Sequence, residues 1–245
     1  MGSISGTLTR RQTLGLAGSS GVAMVAALSG LPRVLQALRL EGAPAAQAAS
    51  AAGMKAVTAS FRSRALGSRL HFAVYLPSAY SASRTHYPVV YFLHGLPAGQ
   101  RAYLHLGWVA QALAHSSREA ILVVPQGTHF ANDDPEYHDW GPGDDWETAL
   151  AQELPAWIDG RYRTLAHRSG RAIAGYSAGG YGASIIGLHH PRTFAAVQSW
   201  SGYFHPTDPT GTKARSVGSR AANAYASVEA LVPRLAKQFE RYPTT

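Results

Sequence analysis

With 245 residues, 46% of them hydrophobic and only 15% charged, the chain has ample material for a packed core, which excludes a disordered or fibrous protein. Its net charge of +8 is spread singly, apart from the +3 that Arg10, Arg11, Arg33, Arg39 and Glu41 place in the first 48 residues, and no basic patch with interleaved aromatics marks a nucleic-acid partner. The absence of cysteine excludes disulfides, thiolate metal sites, a cysteine nucleophile and a cysteine-borne lipid anchor.

The chain opens with Thr9-Arg10-Arg11-Gln12-Thr13-Leu14, followed by a Gly/Ser-diluted apolar stretch through Leu31. Paired arginines ahead of a mildly hydrophobic segment have the form of a twin-arginine export signal, with Ala46-Gln47-Ala48 as a small-x-small cleavage site. Thr13 stands where such signals commonly carry Phe, and an amphipathic N-terminal helix is the other reading. Residues 1–48 are therefore expected to be a signal peptide and leader, engaging the twin-arginine machinery and sending the protein to the cell envelope or outside. Gly and Ser interrupt the run, and nothing later approaches the roughly 20 apolar residues of a membrane span.

From residue 49 onward strands and helices alternate. Lys55 to Arg62 and Arg69 to Leu76 alternate in polarity and are expected to pair as antiparallel strands. Pro88 to Leu93 and Ala120 to Val124 are continuously apolar, as strands buried on both faces of a parallel sheet are, and a helix is expected between them from Leu104 to His115. Gln126 to Gly143 is an irregular insertion rich in aromatics, histidine and acids. Asp144 and Asp145 are expected to cap a helix that buries Trp146, Leu150 and Leu154 and kinks at Pro155. Arg171 to Tyr176 forms a further strand, Ala178 to His190 a helix, Phe194 to Trp200 a strand and Ser227 to Arg241 an amphipathic helix. This alternation predicts an α/β fold with a mostly parallel sheet flanked by helices.

Gly175-Tyr176-Ser177-Ala178-Gly179 joins an apolar strand to a helix. Glycine two residues to either side lets the chain turn sharply with the serine at the apex, where its hydroxyl is presented as a nucleophile. His94-Gly95-Leu96-Pro97-Ala98-Gly99 directly follows the Pro88 to Leu93 strand, the position of a loop that supplies one oxyanion-hole N–H. The donors expected are the N–H groups of Leu96 and Ala178, since Pro97 has none; His94 is read as a hydrogen-bonding scaffold.

These motifs resemble the esterase D-like branch of the α/β-hydrolases, which includes S-formylglutathione hydrolases, bacterial feruloyl-type esterases and the antigen 85 mycolyltransferases. The resemblance rests on His94-Gly95-Leu96, Trp146-Glu147-Thr148 with Glu153-Leu154-Pro155, Ala174 to Gly180 and Ser199-Trp200-Ser201-Gly202-Tyr203-Phe204, and covers about Ala56 to Phe204. It implies an α/β-hydrolase fold, an acyl-enzyme on Ser177, an oxyanion held by Leu96 and Ala178, a small-molecule ester or acyl substrate, and no cofactor or metal.

In that family the acid follows the next strand after Ser-Gly-Tyr-Phe and the histidine follows the strand after that. Beyond Phe204 this sequence reads as neither strand, so residues 49–245 are expected to form the esterase domain without its C-terminal strands. His189 and His190 fall at the far end of the helix that starts at Ser177, roughly 18 Å away for a 12-residue helix at 1.5 Å per residue. His205 and Asp208 are read as a solvated loop near the rim of the site, with a makeshift base and acid as the other reading, and Glu229 and Glu240 as the polar face of the last helix. His138 with Asp133, Asp134 and Asp139 matches no calcium-loop or helical zinc spacing and is read as a substrate-facing loop or surface. Three functions follow as expectations: a serine carboxylesterase whose acid and base are not found in the chain, a mycolyl-type acyltransferase, or an inactive relic or binding protein.

Overall fold

The structure is a computed structural model that describes residues 53–96, 99–130, 133–208 and 213–239. The leader with its paired arginines and cleavage site, together with Pro97, Ala98 and Glu240, lies outside the described residues.

The first two strands, β1 (Met54–Arg62) and β2 (Arg69–Pro77), pair antiparallel over their full length, as their alternating polarity predicts. Ser63, Arg64 and Ala65 in the turn between them all donate to the Glu153 carboxylate, the Ser63 hydroxyl at 2.5 Å. Strands β3 (Val89–Leu93) and β4 (Ile121–Pro125) are the two continuous apolar runs, and every residue in both is buried. With β5 (Arg171–Tyr176) and β6 (Ala196–Trp200) they complete a six-stranded sheet in the order β1-β2-β4-β3-β5-β6. The pairs β4–β3, β3–β5 and β5–β6 are parallel, and β2 joins β4 antiparallel.

Both faces of the sheet are covered, which explains the unbroken apolar runs. Val90 and Phe92 point to one face, where α1 (Gly107–Ala114) packs through Val109, Ala110 and Leu113; Val89, Tyr91 and Leu93 point to the other, where they meet α2 (residues 146–159) and α3 (Ala178–His189). Helix α2 contributes Trp146, Leu150, Leu154 and Ile158, and α3 (Ala178–His189) contributes Ala183 and Ile186. On the outer side of α3, Tyr181, Ile185 and Leu188 bury against Val228 and Leu231 of α5 (Val228–Phe239), which follows the short α4 (Arg220–Tyr225).

One expectation about α2 is corrected. The helix is not capped by Asp144 or Asp145: the Asp144 carboxylate accepts from the Trp146 indole at 2.7 Å and that of Asp145 from the Gly141 N–H at 2.8 Å. Asp139 does the capping from within the insertion, taking the Thr148 N–H at 2.9 Å and its hydroxyl at 2.6 Å. The helix is also irregular just ahead of Pro155. The helix runs Trp146–Thr148, widens into a π turn over Ala149–Glu153, and resumes as Leu154–Asp159 with Pro155 in its first turn. Pro155 is the second residue of the resumed segment, where its missing N–H would have no acceptor within that segment. Among the described residues no strand follows β6, as expected for the region beyond Phe204.

Candidate active site

Ser177 occupies the single residue between β5 and α3 and has φ 55° and ψ −121°. A left-handed conformation at a non-glycine residue costs on the order of 1–3 kcal/mol and persists only where the surroundings enforce it. Here the Ser177 N–H donates to the Trp200 carbonyl of the neighbouring strand at 2.8 Å, and its own carbonyl accepts from Gly180 and Tyr181 at 2.8 and 3.1 Å. A Cβ on Gly179 would collide with the Leu93 and His94 carbonyls, and one on Gly175 with the carbonyl of Gly179. The glycines flanking the serine are therefore required by contact between β3, β5 and α3.

The segment after β3 lies directly against this turn. Leu93 is in register with Gly175, so the chain leaving β3 passes Ser177, and a Cβ on Gly95 would stand 2.7 Å from the Tyr176 carbonyl oxygen and 2.8 Å from Ser177 Cβ. Leu96 follows immediately. Ala178 is the first residue of a 12-residue helix, whose leading N–H groups have no acceptor within the helix and carry its positive dipole end. Ser177, Leu96 and Ala178 are thus drawn together at the C-terminal ends of parallel strands, where ligands bind in open α/β sheets.

Behind this surface His94 is buried, and burial lowers its pKa, with a hydrogen bond to the Gly95 carbonyl acting in the opposite sense. Its Nδ1 stands 3.1 Å from that carbonyl. Tyr137, with φ 58° beside Glu136 at φ 54°, donates its hydroxyl to the His94 carbonyl at 2.5 Å.

The remaining candidates go elsewhere. His189 and His190 both turn to Glu147 at the opposite end of α3, and the His189 Nε2 contacts the Tyr225 carbonyl at 3.0 Å. His205 faces Glu229 across 3.8 Å with both side chains largely exposed, while Asp208 pairs through its backbone and carboxylate with the Lys213 N–H and carbonyl. No histidine nitrogen is hydrogen-bonded to the Ser177 hydroxyl among the described residues. In the insertion His138 is also engaged: its Nε2 meets the Tyr181 hydroxyl at 2.6 Å, and that hydroxyl donates to the Ala226 carbonyl, so the ring nitrogen carries the proton. Among the described residues no cluster of three or more His, Cys, Asp or Glu side chains could hold a metal ion.

Two buried carboxylates went unremarked as singular residues in the sequence. Glu147 shares the buried face of α2 with Ala151, Leu154 and Ile158, at the spacing of a helical stripe; an acid on that stripe was the available signal. Glu136 is fully buried and accepts from the Tyr203 hydroxyl at 2.6 Å and the Thr207 N–H at 2.8 Å. No local pattern marks it.

Residues 63–241 match the family described as "Putative esterase". The chain belongs to this esterase family. Among its relatives, Esterase Rv1288 of Mycobacterium tuberculosis (strain ATCC 25618 / H37Rv) is 35% identical over 147 residues, 58% of this chain and 31% of that protein. The diacylglycerol acyltransferase/mycolyltransferase Ag85C of Mycobacterium leprae (strain TN) is 30% identical over 133 residues, covering 49% of this chain and 37% of the other. The chain thus spans about a third of the length of each. An S-formylglutathione hydrolase structure from Agrobacterium tumefaciens superimposes with a TM-score of 0.56 at 24% identity over 77% of this chain and 74% of the other, which establishes the α/β-hydrolase fold.

Proposed function

We propose that this member of the esterase family is a serine carboxylic ester hydrolase working through an acyl-enzyme on Ser177. The observation that carries the reading is the enforced left-handed turn at Ser177 with Gly95 packed against its Cβ. The Ser177 oxygen attacks the acyl carbonyl carbon, the negative charge moves to the carbonyl oxygen, and the N–H groups of Leu96 and Ala178 stabilise it. One such donor is worth about 2.7–4 kcal/mol in the transition state. Collapse breaks the bond to the alcohol, which leaves with a proton, and water then releases the acid. Serine attack gives up a proton to solvent, and solvent returns one to the departing alcohol. The described residues offer Ser177 no histidine to take it, so their own contribution is that of an oxyanion hole and a binding surface, of order 10³–10⁴ over water.

The test is fluorophosphonate labelling of the folded 245-residue chain together with hydrolysis of p-nitrophenyl esters of graded acyl length. Labelling that maps to Ser177 and disappears in Ser177→Ala supports the reading. A folded chain that neither labels nor hydrolyses, beside a full-length relative that does both, leaves a binding protein on an esterase fold.

The likeness to Ag85C favours a second reading, in which a sugar hydroxyl replaces water in deacylation. Product analysis with a sugar acceptor present separates the two, since only transfer yields an acylated sugar. Export belongs to the same proposal: Arg10→Lys together with Arg11→Lys is expected to retain a reporter fused after residue 48 inside the cell.

A further inference from the structure

We infer that Tyr137 and His94 are positioning residues that set the aim of the Leu96 N–H, an inference that rests on the ester-hydrolase reading of this site. A peptide unit is planar, so holding a carbonyl also orients the N–H of the next residue. Two consecutive units of the loop after β3 are held in this way. The His94 carbonyl accepts from the Tyr137 hydroxyl at 2.5 Å, which orients the unit ending in the Gly95 N–H. The Gly95 carbonyl stands 3.1 Å from His94 Nδ1, which orients the unit ending in the Leu96 N–H. A carbonyl only accepts, so the His94 proton lies on Nδ1.

The tyrosine that begins this chain of contacts is itself immobilised from three sides. Its ring fills space that two glycines leave open. A Cβ on Gly127 would stand 2.7 Å from the Tyr137 hydroxyl oxygen and 2.9 Å from His94 Nε2, and one on Gly182 would run into the Tyr137 ring. Its backbone is left-handed, as is that of Glu136 before it, and Glu136 is tied to the segment after β6 through Tyr203 and Thr207. A strained dipeptide held at both ends places one phenolic hydroxyl where it meets the oxyanion loop. The insertion thereby connects α3, the exit of β4 and the segment after β6 to the peptide unit just ahead of the one that carries the Leu96 N–H.

The experiment compares Tyr137→Phe, His94→Leu and His94→Asn with the parent in the full 245-residue chain. It measures kcat and KM for p-nitrophenyl acetate, amide hydrogen exchange at Gly95 and Leu96, and the thermal midpoint. Tyr137→Phe and His94→Leu are expected to lower kcat by about ten- to a hundredfold with KM unchanged, since a small misplacement of a catalytic group costs on that order. Both should speed exchange at Gly95 and Leu96 while leaving the sheet amides alone. Asparagine presents an N–H near the place of Nδ1, so His94→Asn should recover most of the loss.

Parent-like kcat and exchange in Tyr137→Phe would overturn the inference. So would a kcat loss that merely follows a lowered thermal midpoint with no rescue by asparagine. If the parent itself neither hydrolyses nor labels, the ester-hydrolase reading fails on its own account. Exchange at Leu96 then decides the positioning role, with unchanged rates in Tyr137→Phe counting against it and faster rates for it.

Discussion

Glu147 on α2 meets Nδ1 of His189 on α3 with both carboxylate oxygens, at 2.9 and 3.0 Å, and gives one of them also to His190 Nε2 at 2.8 Å. The ring of His189 stacks on Tyr225 of α4 with centroids 3.7 Å apart, so one buried acid ties three helices together. Burial pushes the Glu147 carboxyl up, but the hydrogen bonds from the two histidines outweigh it and hold the group well below the usual carboxylate range. A carboxyl depressed on folding contributes stability above its unfolded pKa and loses it as pH falls through the folded value. Breaking a buried ion pair from one side costs about 3–5 kcal/mol. Glu147→Gln is accordingly expected to lower the urea midpoint sharply at pH 7 and to lose less than the parent below pH 4. Equal midpoints at pH 7 would show that the cluster does not hold the helices.

Glu136 and His138, two residues apart, are set to oppose one another in acid. Burial, helped by the nearby Asp134 charge, raises Glu136 to about 7, and burial lowers His138 to about 4. The stability that protonated Glu136 contributes is full below its unfolded pKa near 4.5 and is lost as pH rises to about 7. That from neutral His138 is full above 6.5 and is lost as pH falls towards 4. Each is worth roughly 3 kcal/mol over its range, at about 1.36 kcal/mol per unit. The parent should therefore vary little between pH 4.5 and 6.5. Glu136→Gln should grow more stable with rising pH in that window and His138→Gln less stable. Urea midpoints in half-unit steps check this; two variants that both follow the parent's profile would refute it.

Strain at Ser177 has a measurable counterpart. Glycine adopts φ 55° at no steric cost. Ser177→Gly is expected to raise the thermal midpoint by about 2–4 °C, the equivalent of about 1 kcal/mol in a domain of this size, while abolishing fluorophosphonate labelling. A lowered midpoint would mean that the turn is not strained.

Gly95→Ala places a methyl group 2.7–2.8 Å from Tyr176 and Ser177 atoms, which forces the oxyanion loop away from the serine. Its labelling rate should fall on the order of a hundredfold, the cost of a displacement near 1 Å. Gly99→Ala, where among the described residues no atom beyond its chain neighbours lies within 4 Å of the added carbon, should label like the parent. Matching rates for both variants would remove the loop from the site.

Much of this architecture was legible in the residues. Val89–Leu93 and Ile121–Pro125 announce their burial because a strand covered on both faces has no position for a polar side chain. Gly175, Gly179 and Gly95 announce the close approach of three backbones around Ser177. Each of these signals is local: it lies in periodicity or residue type over a few positions. The cap of α2 escapes the sequence for the same reason: Asp144 and Asp145 hold the right places in sequence, while Asp139, folded back by the insertion, holds the right place in space.

The sequence by itself determined the sheet, the serine turn and the esterase lineage, since strand periodicity and the glycine pattern of the turn are written over a few neighbouring positions. Tertiary structure alone decided the partners of the buried polar groups. Glu147 finds His189 42 residues away, Tyr137 finds His94 43 away and Glu136 finds Tyr203 67 away. Such pairs leave no periodic trace, because a buried acceptor needs only one donor at the correct distance, and the fold determines which segment supplies it.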